Sequence, residues 1–101
     1  MTPYVIEEGN LDAVELLLGS VPEFDIPPTI DDIGFRIKDV PHLILTAHAE
    51  GLPVGFKIGY ERDGRFYPWL GGVDDRFRQL GIASHLADYQ DPWARKKGYK
   101  T

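Results

Sequence analysis

The sequence predicts one α+β domain over residues 1–101, in the order β-α-α-β-β-β-α, with a mostly antiparallel sheet. Two patterns lead to this prediction. Apolar residues recur at helical spacing near both ends of the chain, and the middle holds three segments with the alternation or continuous apolar character of strands. The chain has 101 residues and a hydrophobic content of 43%, enough for one core and little more.

The N-terminal part is predicted to form a short strand and two helices. Asn10 and Thr29 are favourable N-caps, because their side chains accept hydrogen bonds from the free N–H groups of a first turn. Three prolines between the helices predict an extended loop. The predicted elements are the strand Pro3–Glu7, a helix between Asn10 and Gly19, the loop Val21–Thr29 and the helix Ile30–Ile37.

Three strands follow, and turn residues separate them. In the middle strand, large apolar residues alternate with Gly55, Lys57 and Gly59, the period of a half-buried strand. Asp63-Gly64 is a strong hairpin signal. The predicted strands are Leu43–Ala49, Val54–Tyr60 and Arg65–Val73, the first two joined by a hairpin at Glu50-Gly51-Leu52-Pro53.

The last element is a helix that begins near Gly81 and ends before Gly98, a suitable C′ residue. Its apolar stripe is predicted to consist of Ile82, Leu86, Tyr89 and Trp93. Pro92 lacks the N–H that an unbroken helix uses and disfavours helical angles in the preceding residue. We therefore expect a kink or break near Gln90–Pro92.

The segment between the last strand and this helix carries the chemical signal. A strand-to-helix turn leaves several N–H groups unpaired, and the helix dipole adds positive potential there. Gly81 and Ala83 are small enough to let an anion approach, and Ser84 offers a hydroxyl. Arg76 and Arg78 add charge suited to a pyrophosphate. The alternative is an ordinary βα turn with solvated arginines.

The stretch Arg78-Gln79-Leu80-Gly81-Ile82-Ala83 resembles the signature Q/R-x-x-G-x-G/A of the GNAT family of N-acetyltransferases, and the order of elements around it is similar over essentially the whole chain. The resemblance implies that acetyl-CoA is the co-substrate and that an amine, of unknown identity, accepts the acetyl group. It also implies a bulged fourth strand at Gly71-Gly72 beside the pantetheine arm; Pro68 supports a disturbed ladder there. The plain interpretation of the two glycines is a weakened strand end.

Two groups of site residues follow from the resemblance. The acceptor amine is expected beside Tyr67, Trp69 and Glu23, although the aromatic residues also suit a core and Glu23 a solvated loop. No catalytic acid or base is assigned. The predicted cofactor-binding residues are Leu70, Gly71, Gly72, Val73, Arg76, Arg78, Gln79, Leu80, Gly81, Ile82, Ala83 and Ser84.

Compared with the family, the sequence is expected to lack the C-terminal part of the domain, which leaves the fourth strand with an open edge and an apolar patch. Three explanations stay open: a fragment, a homodimer that completes the sheet, and a protein without catalysis. The functional prediction is an acetyl-CoA-dependent N-acetyltransferase. The alternative is a non-catalytic acyl-CoA-binding or protein-interaction module that self-associates through the edge.

Composition and charge exclude several other classes. A net charge of −5 argues against nucleic-acid binding and mildly favours a cationic substrate. The sequence has no apolar run of membrane-spanning length and no secretion signal, so we expect a cytoplasmic protein without membrane partners. It contains no cysteine, and His42, His48 and His85 lack metal-ligand spacing, so no metal is predicted.

Overall fold

The computed structural model describes residues 3–21 and 28–99. The elements follow the predicted order and form a mixed fold of three helices and an antiparallel sheet. Glu23 and most of the predicted loop Val21–Thr29 lie outside the described residues. The elements are β1 (Val5–Glu8), α1 (Leu11–Leu18), α2 (Ile30–Ile37), β2 (His42–Ala49), β3 (Leu52–Arg62), β4 (Arg65–Val73), a 3-10 turn (Asp75–Phe77) and α3 (Ile82–Lys96).

Local capping and turn chemistry fix several of these boundaries. The Asn10 side chain accepts from the Ala13 N–H at 3.1 Å, and the Thr29 hydroxyl accepts from the Asp32 N–H at 3.1 Å, as predicted. The β2–β3 turn is shorter than predicted. Glu50 and Gly51 both have positive φ and make the turn alone, so that β3 already begins at Leu52.

The four strands lie in sequence order, β1-β2-β3-β4, and every pair is antiparallel. β4 is therefore an edge strand within the described part of the chain, as predicted. The bulge in β4 is not at Gly71-Gly72, which pair regularly with β3. It lies at Trp69, because Leu70 pairs with Ile58 whereas Pro68 pairs with Gly59. Pro68, which has no N–H for the ladder, explains the displacement.

Each face of the sheet carries its own hydrophobic core. On one face, α1 and α2 pack over β3. On the other face, α3 packs over the sheet. The α1–α2 core contains Val14, Leu17, Leu18, Val21, Ile33, Ile37, Ile44, Phe56, Ile58 and Tyr60. The α3 core contains Leu43, Leu45, Ala47, Ala49, Val54, Phe66, Val73, Ile82, Leu86 and Ala94.

The helix α3 continues through Pro92, so the predicted break near Gln90–Pro92 is wrong. Burial explains why the helix persists. Leu86 and Ala94, on either side of the proline, both pack in the α3 core and hold the two halves against the sheet. Pro92 itself is exposed. The fully buried positions recur every fourth residue: Ile82, Leu86, Gln90 and Ala94.

Candidate functional site

A cleft of about 600 Å³ opens between the edge strand β4 and the N-terminus of α3. One wall is the C-terminal half of β4, and the opposite wall is the loop and first turn of α3. Phe56 and Lys57 of β3 form the floor. The lining residues are Phe56, Lys57, Pro68, Trp69, Leu70, Gly71, Gly72, Val73, Phe77, Arg78, Gln79, Gly81, Ile82, Ala83, Ser84 and Leu86.

The two glycines of the β4 wall have different neighbours. A Cβ on Gly72 would lie 2.6 Å from a methyl group of Val21, so this glycine makes room for the α1–α2 core. A Cβ on Gly71 would lie 3.3 Å from the Phe56 carbonyl oxygen and 3.7 Å from Cγ of Lys57. Gly71 is exposed and therefore leaves the backbone of β4 accessible from the cleft.

The N-terminus of α3 forms the end of the cleft. Gly81 precedes the helix in the left-handed region, with φ of 79°, and no side chain in the described structure caps this end. The first helical hydrogen bond runs from the His85 N–H to the Gly81 carbonyl, at 2.9 Å. The N–H groups of Ile82, Ala83 and Ser84 precede this bond, so they are available to an anion.

A Cβ at position 81 would meet no atom within 4 Å, so space does not require glycine there. Glycine is favoured because of the positive φ. Gln79, two residues before Gly81, is also left-handed, with φ of 69°. Two positive φ values within three residues turn the chain sharply from the β4 loop into α3. This turn directs the free end of α3 toward β4.

The 3-10 turn at the start of the loop is held by a buried carboxylate. Asp74 accepts from the main-chain N–H of Arg76 at 2.9 Å and from its guanidinium at 3.1 and 3.0 Å. These hydrogen bonds lower the pKa of Asp74 below its ordinary value. The Asp74 N–H donates to the Val54 carbonyl at 2.8 Å, which ties the turn to β3.

Arg76 is predicted to bind the pyrophosphate, but in the structure its guanidinium is paired with Asp74. The guanidinium also lies over the Phe77 ring, and Arg76 does not line the cleft. Arg78 does line the cleft and also lies 3.6 Å from the Asp75 carboxylate. The sequence alone does not distinguish the two arginines, because Arg76 is next to Asp75 and Arg78 is three positions from it, so both have an acidic residue nearby.

The structure brings ten of the twelve predicted cofactor-binding residues to the cleft. Arg76 and Leu80 are the two that do not line it; Leu80 packs against the α3 core. Of the predicted acceptor residues, Trp69 lines the cleft, while Tyr67 lies near the hairpin end of β4 with Arg62 over its ring. The ten are Leu70, Gly71, Gly72, Val73, Arg78, Gln79, Gly81, Ile82, Ala83 and Ser84.

The cleft is cationic although the chain carries a net charge of −5. Its charged lining residues are Lys57 and Arg78, and no carboxylate lines it in the described structure. Lys57 is not among the predicted cofactor-binding residues, because the sequence pattern identifies it only as an alternating strand residue. The available signal was its charge, since every large neighbour in that alternation is apolar.

Side-chain hydrogen bonds link Tyr4, just before β1, and Glu8 of β1 to the helix α3. The Tyr4 hydroxyl lies 3.0 Å from Nδ1 of His85, and the Tyr89 hydroxyl donates to the Glu8 carboxylate. The Glu8 bond raises the pKa of Tyr89. Because His85 is in the first turns of α3, these contacts anchor the helix end that faces the cleft.

Within residues 3–21 and 28–99, no group of histidine and acidic side chains has the arrangement of a metal site. In the same part of the chain, no helix is long and apolar enough to cross a membrane.

Comparison with known proteins gives one family match. The model of the acetyltransferase (GNAT) domain matches residues 42–100, which is more than half of the chain and includes β2 to α3. A comparison with curated protein sequences gives no match.

Several solved structures have the same fold. The ribosomal-protein-S18-alanine N-acetyltransferase of Escherichia coli superposes with a TM-score of 0.81 at 14% identity, over 95% of this chain and 62% of that enzyme. A ribosomal-protein-alanine N-acetyltransferase of Brucella melitensis gives 0.73 at 24% identity, over 97% and 76%. An aminoglycoside N-acetyltransferase in complex with CoA gives 0.69 at 20% identity, over 95% and 74%. The chain thus spans under two thirds of the length of the Escherichia coli enzyme.

Proposed function

The chain belongs to the GNAT acetyltransferase family, and from this premise we propose that it binds acetyl-CoA in the cleft between β4 and α3 and transfers the acetyl group to an amine. One observation carries the proposal. The cleft joins a free helix N-terminus to a cationic lining inside an otherwise acidic chain. That combination suits a ligand with a pyrophosphate at one end and a neutral arm at the other.

The shape of the cleft suggests how the ligand would be oriented, with the pyrophosphate at α3 and the arm along β4. The N–H groups at the start of α3 and Arg78 would hold the pyrophosphate. The arm would then run along β4, where Gly71 leaves main-chain groups exposed on an unpaired edge. Trp69 lies further along this wall, at the bulge, and would border the thioester and the incoming amine.

In the proposed reaction, a neutral amine attacks the thioester carbon. An amide bond forms, the carbon–sulfur bond breaks, and the CoA sulfur takes the proton that the amine releases. The contribution of this chain is to orient the two reactants and to present main-chain N–H groups of the β4 edge to the carbonyl oxygen. No side chain is assigned as the acid or base.

The two glycines at the ends of α3 provide a matched test. Gly81 and Gly98 both have positive φ, 79° and 96°, and at both a Cβ would meet no atom within 4 Å. Alanine should therefore cost about 1–2 kcal/mol of stability at either position. Only Gly81→Ala should weaken CoA binding, by about tenfold or more, because its methyl group and altered backbone disturb the anion site.

The measurement is isothermal titration of the wild type and both variants with CoA, followed by a thiol-release assay with acetyl-CoA and a panel of amines. Equal CoA affinity for Gly81→Ala and Gly98→Ala would place the phosphate site elsewhere. No CoA binding by the wild type would refute the proposed function.

The unpaired edge of β4 favours a second candidate, a module that binds acyl-CoA without transfer and self-associates through this edge. CoA binding without thiol release for any amine, together with a dimeric mass in light scattering, would select this candidate. Thiol release by a monomer would exclude it.

A further inference from the structure

We propose that Lys57 is a cofactor-binding residue whose ammonium group contacts a phosphate of CoA from the floor of the cleft. The inference rests on the proposed function, since it names the group that would grip the anionic part of that ligand from the sheet. It adds a second positive charge to that of Arg78, and this one comes from the sheet and not from the loop.

The strand register places Lys57 on the face that α3 covers. Its partners across the sheet are Leu45 on one side and Gly71 on the other. Leu45 is fully buried in the α3 core, and the stem of Lys57 runs beside Gly71, which has no side chain to obstruct it. The direction left open to the lysine leads over Gly71 into the cleft, which it lines.

The same face brings Lys57 close to the start of α3. Gly55 lies two residues earlier on this face, and a Cβ built on it would be 3.1 Å from Cγ2 of Ile82. Lys57 follows about 7 Å further along the strand, a distance comparable with the reach of a lysine stem. Its ammonium can therefore approach an anion held by the N–H groups after Gly81.

In the described part of the chain, the surroundings of Lys57 supply no anion. The residue is half-buried in a central strand among apolar and glycine neighbours. In residues 3–21 and 28–99, the ion pairs involve other side chains, and no carboxylate lines the cleft. Lys57 is partly buried and lines a cleft that has no carboxylate in the described structure, a setting that suits an anionic ligand.

The test compares Lys57→Met, which keeps the stem and removes the charge, with Lys57→Arg and with Lys96→Met at the exposed far end of α3. Isothermal titration with CoA and with pantetheine, which has no phosphate, separates charge from packing. We expect Lys57→Met to weaken CoA binding about tenfold or more, with a smaller loss for Lys57→Arg and none for Lys96→Met. Pantetheine affinity should be the same in all four proteins.

A footprint on the wild type gives the same information without a substitution. Reductive methylation followed by mass spectrometry should show that CoA protects Lys57, whereas pantetheine does not, and that Lys38 and Lys96 react equally in all samples.

Unchanged CoA affinity in Lys57→Met, or an equal loss for CoA and pantetheine, would overturn the role of Lys57 while leaving the proposed function intact. Reaction of Lys57 at the same rate with and without CoA would do so too. A wild type that does not bind CoA would overturn both.

Discussion

The two faces of the sheet are built on different principles. The face under α1 and α2 is closed by a largely apolar cluster that includes Leu17 and Ile33. A buried polar residue on this face, Thr46, has a hydrogen-bond partner in His48. The face under α3 also buries apolar side chains, but among them is a buried amide group, the Nε2 of Gln90, that has no hydrogen-bond partner in the described structure. Gln90 is 2% exposed and Lys57 half-buried there, and the cleft opens at its edge. The α1–α2 face serves mainly the stability of the fold, whereas the α3 face combines stability with a binding site.

This difference predicts which mutations should lower stability alone and which should also weaken ligand binding. On the α1–α2 face, a lost methyl group costs only packing energy. On the α3 face, the same loss also moves the helix end that would hold the ligand. Each of the predictions below tests one side of that comparison.

The largest expected effect comes from a matched pair of isoleucines, Ile33 on α2 and Ile82 on α3, which are 0% and 2% exposed. Each Ile→Ala change should lower the free energy of unfolding by roughly 2–5 kcal/mol, because it leaves a cavity in a packed core. Only Ile82→Ala should also weaken CoA binding, since Ile82 lines the cleft and carries one of its free N–H groups. Urea denaturation and calorimetric titration measure the two quantities.

If the alanine variants do not fold, the corresponding Ile→Val pair, at about 0.5–1.5 kcal/mol each, allows the same comparison. A loss of CoA affinity in the Ile33 variants as large as in the Ile82 variants would show that the two faces are not separable.

A smaller effect of opposite sign is expected at Gln90. Its Nε2 is buried and has no hydrogen-bond partner in the described structure. Replacing Gln90 with Met keeps the length of the side chain and removes the unsatisfied amide, which should raise the free energy of unfolding by roughly 1–2 kcal/mol. Gln90→Glu should lower it, because a carboxylate would be buried in the same place. A destabilised Met variant would mean that a water molecule satisfies the amide.

The sequence predicts those parts of the fold that depend on neighbouring residues. The bounds of α2 and β4 agree with prediction because Thr29 caps one and Asp63-Gly64 starts the other locally. Pro92 shows the limit of this reasoning. Its local preference to end a helix is overridden by the packing of Leu86 and Ala94 in the α3 core. This packing depends on tertiary contacts and cannot be predicted from the residues next to Pro92.

The site divides in the same way. The loop motif from Arg78 to Ser84 predicts most of the cleft wall, since consecutive residues form it. Lys57 is recognised as a lining residue only once the sheet register places it beside Gly71. Arg76 and Arg78 differ because Asp74 is buried and binds one of them, which depends on the tertiary structure.

The smallest effect concerns Asp74, a buried polar residue directly after β4 that, unlike the Nε2 of Gln90, has a hydrogen-bond partner. Asp74→Ala removes the cap of the 3-10 turn and should cost about 1 kcal/mol at pH 7. Because the Arg76 hydrogen bonds lower the pKa of Asp74 below 3.8, its contribution is complete above that pH and declines as the pH falls through the lowered pKa of the folded state. Urea denaturation at pH 7 and at stepwise lower pH should therefore show the wild type and variant converging only in strong acid. A constant difference down to pH 2 would mean that the carboxylate acts through packing alone. Asp74 would then resemble Gln90 in one respect, because the polar group of neither buried side chain would stabilise the fold.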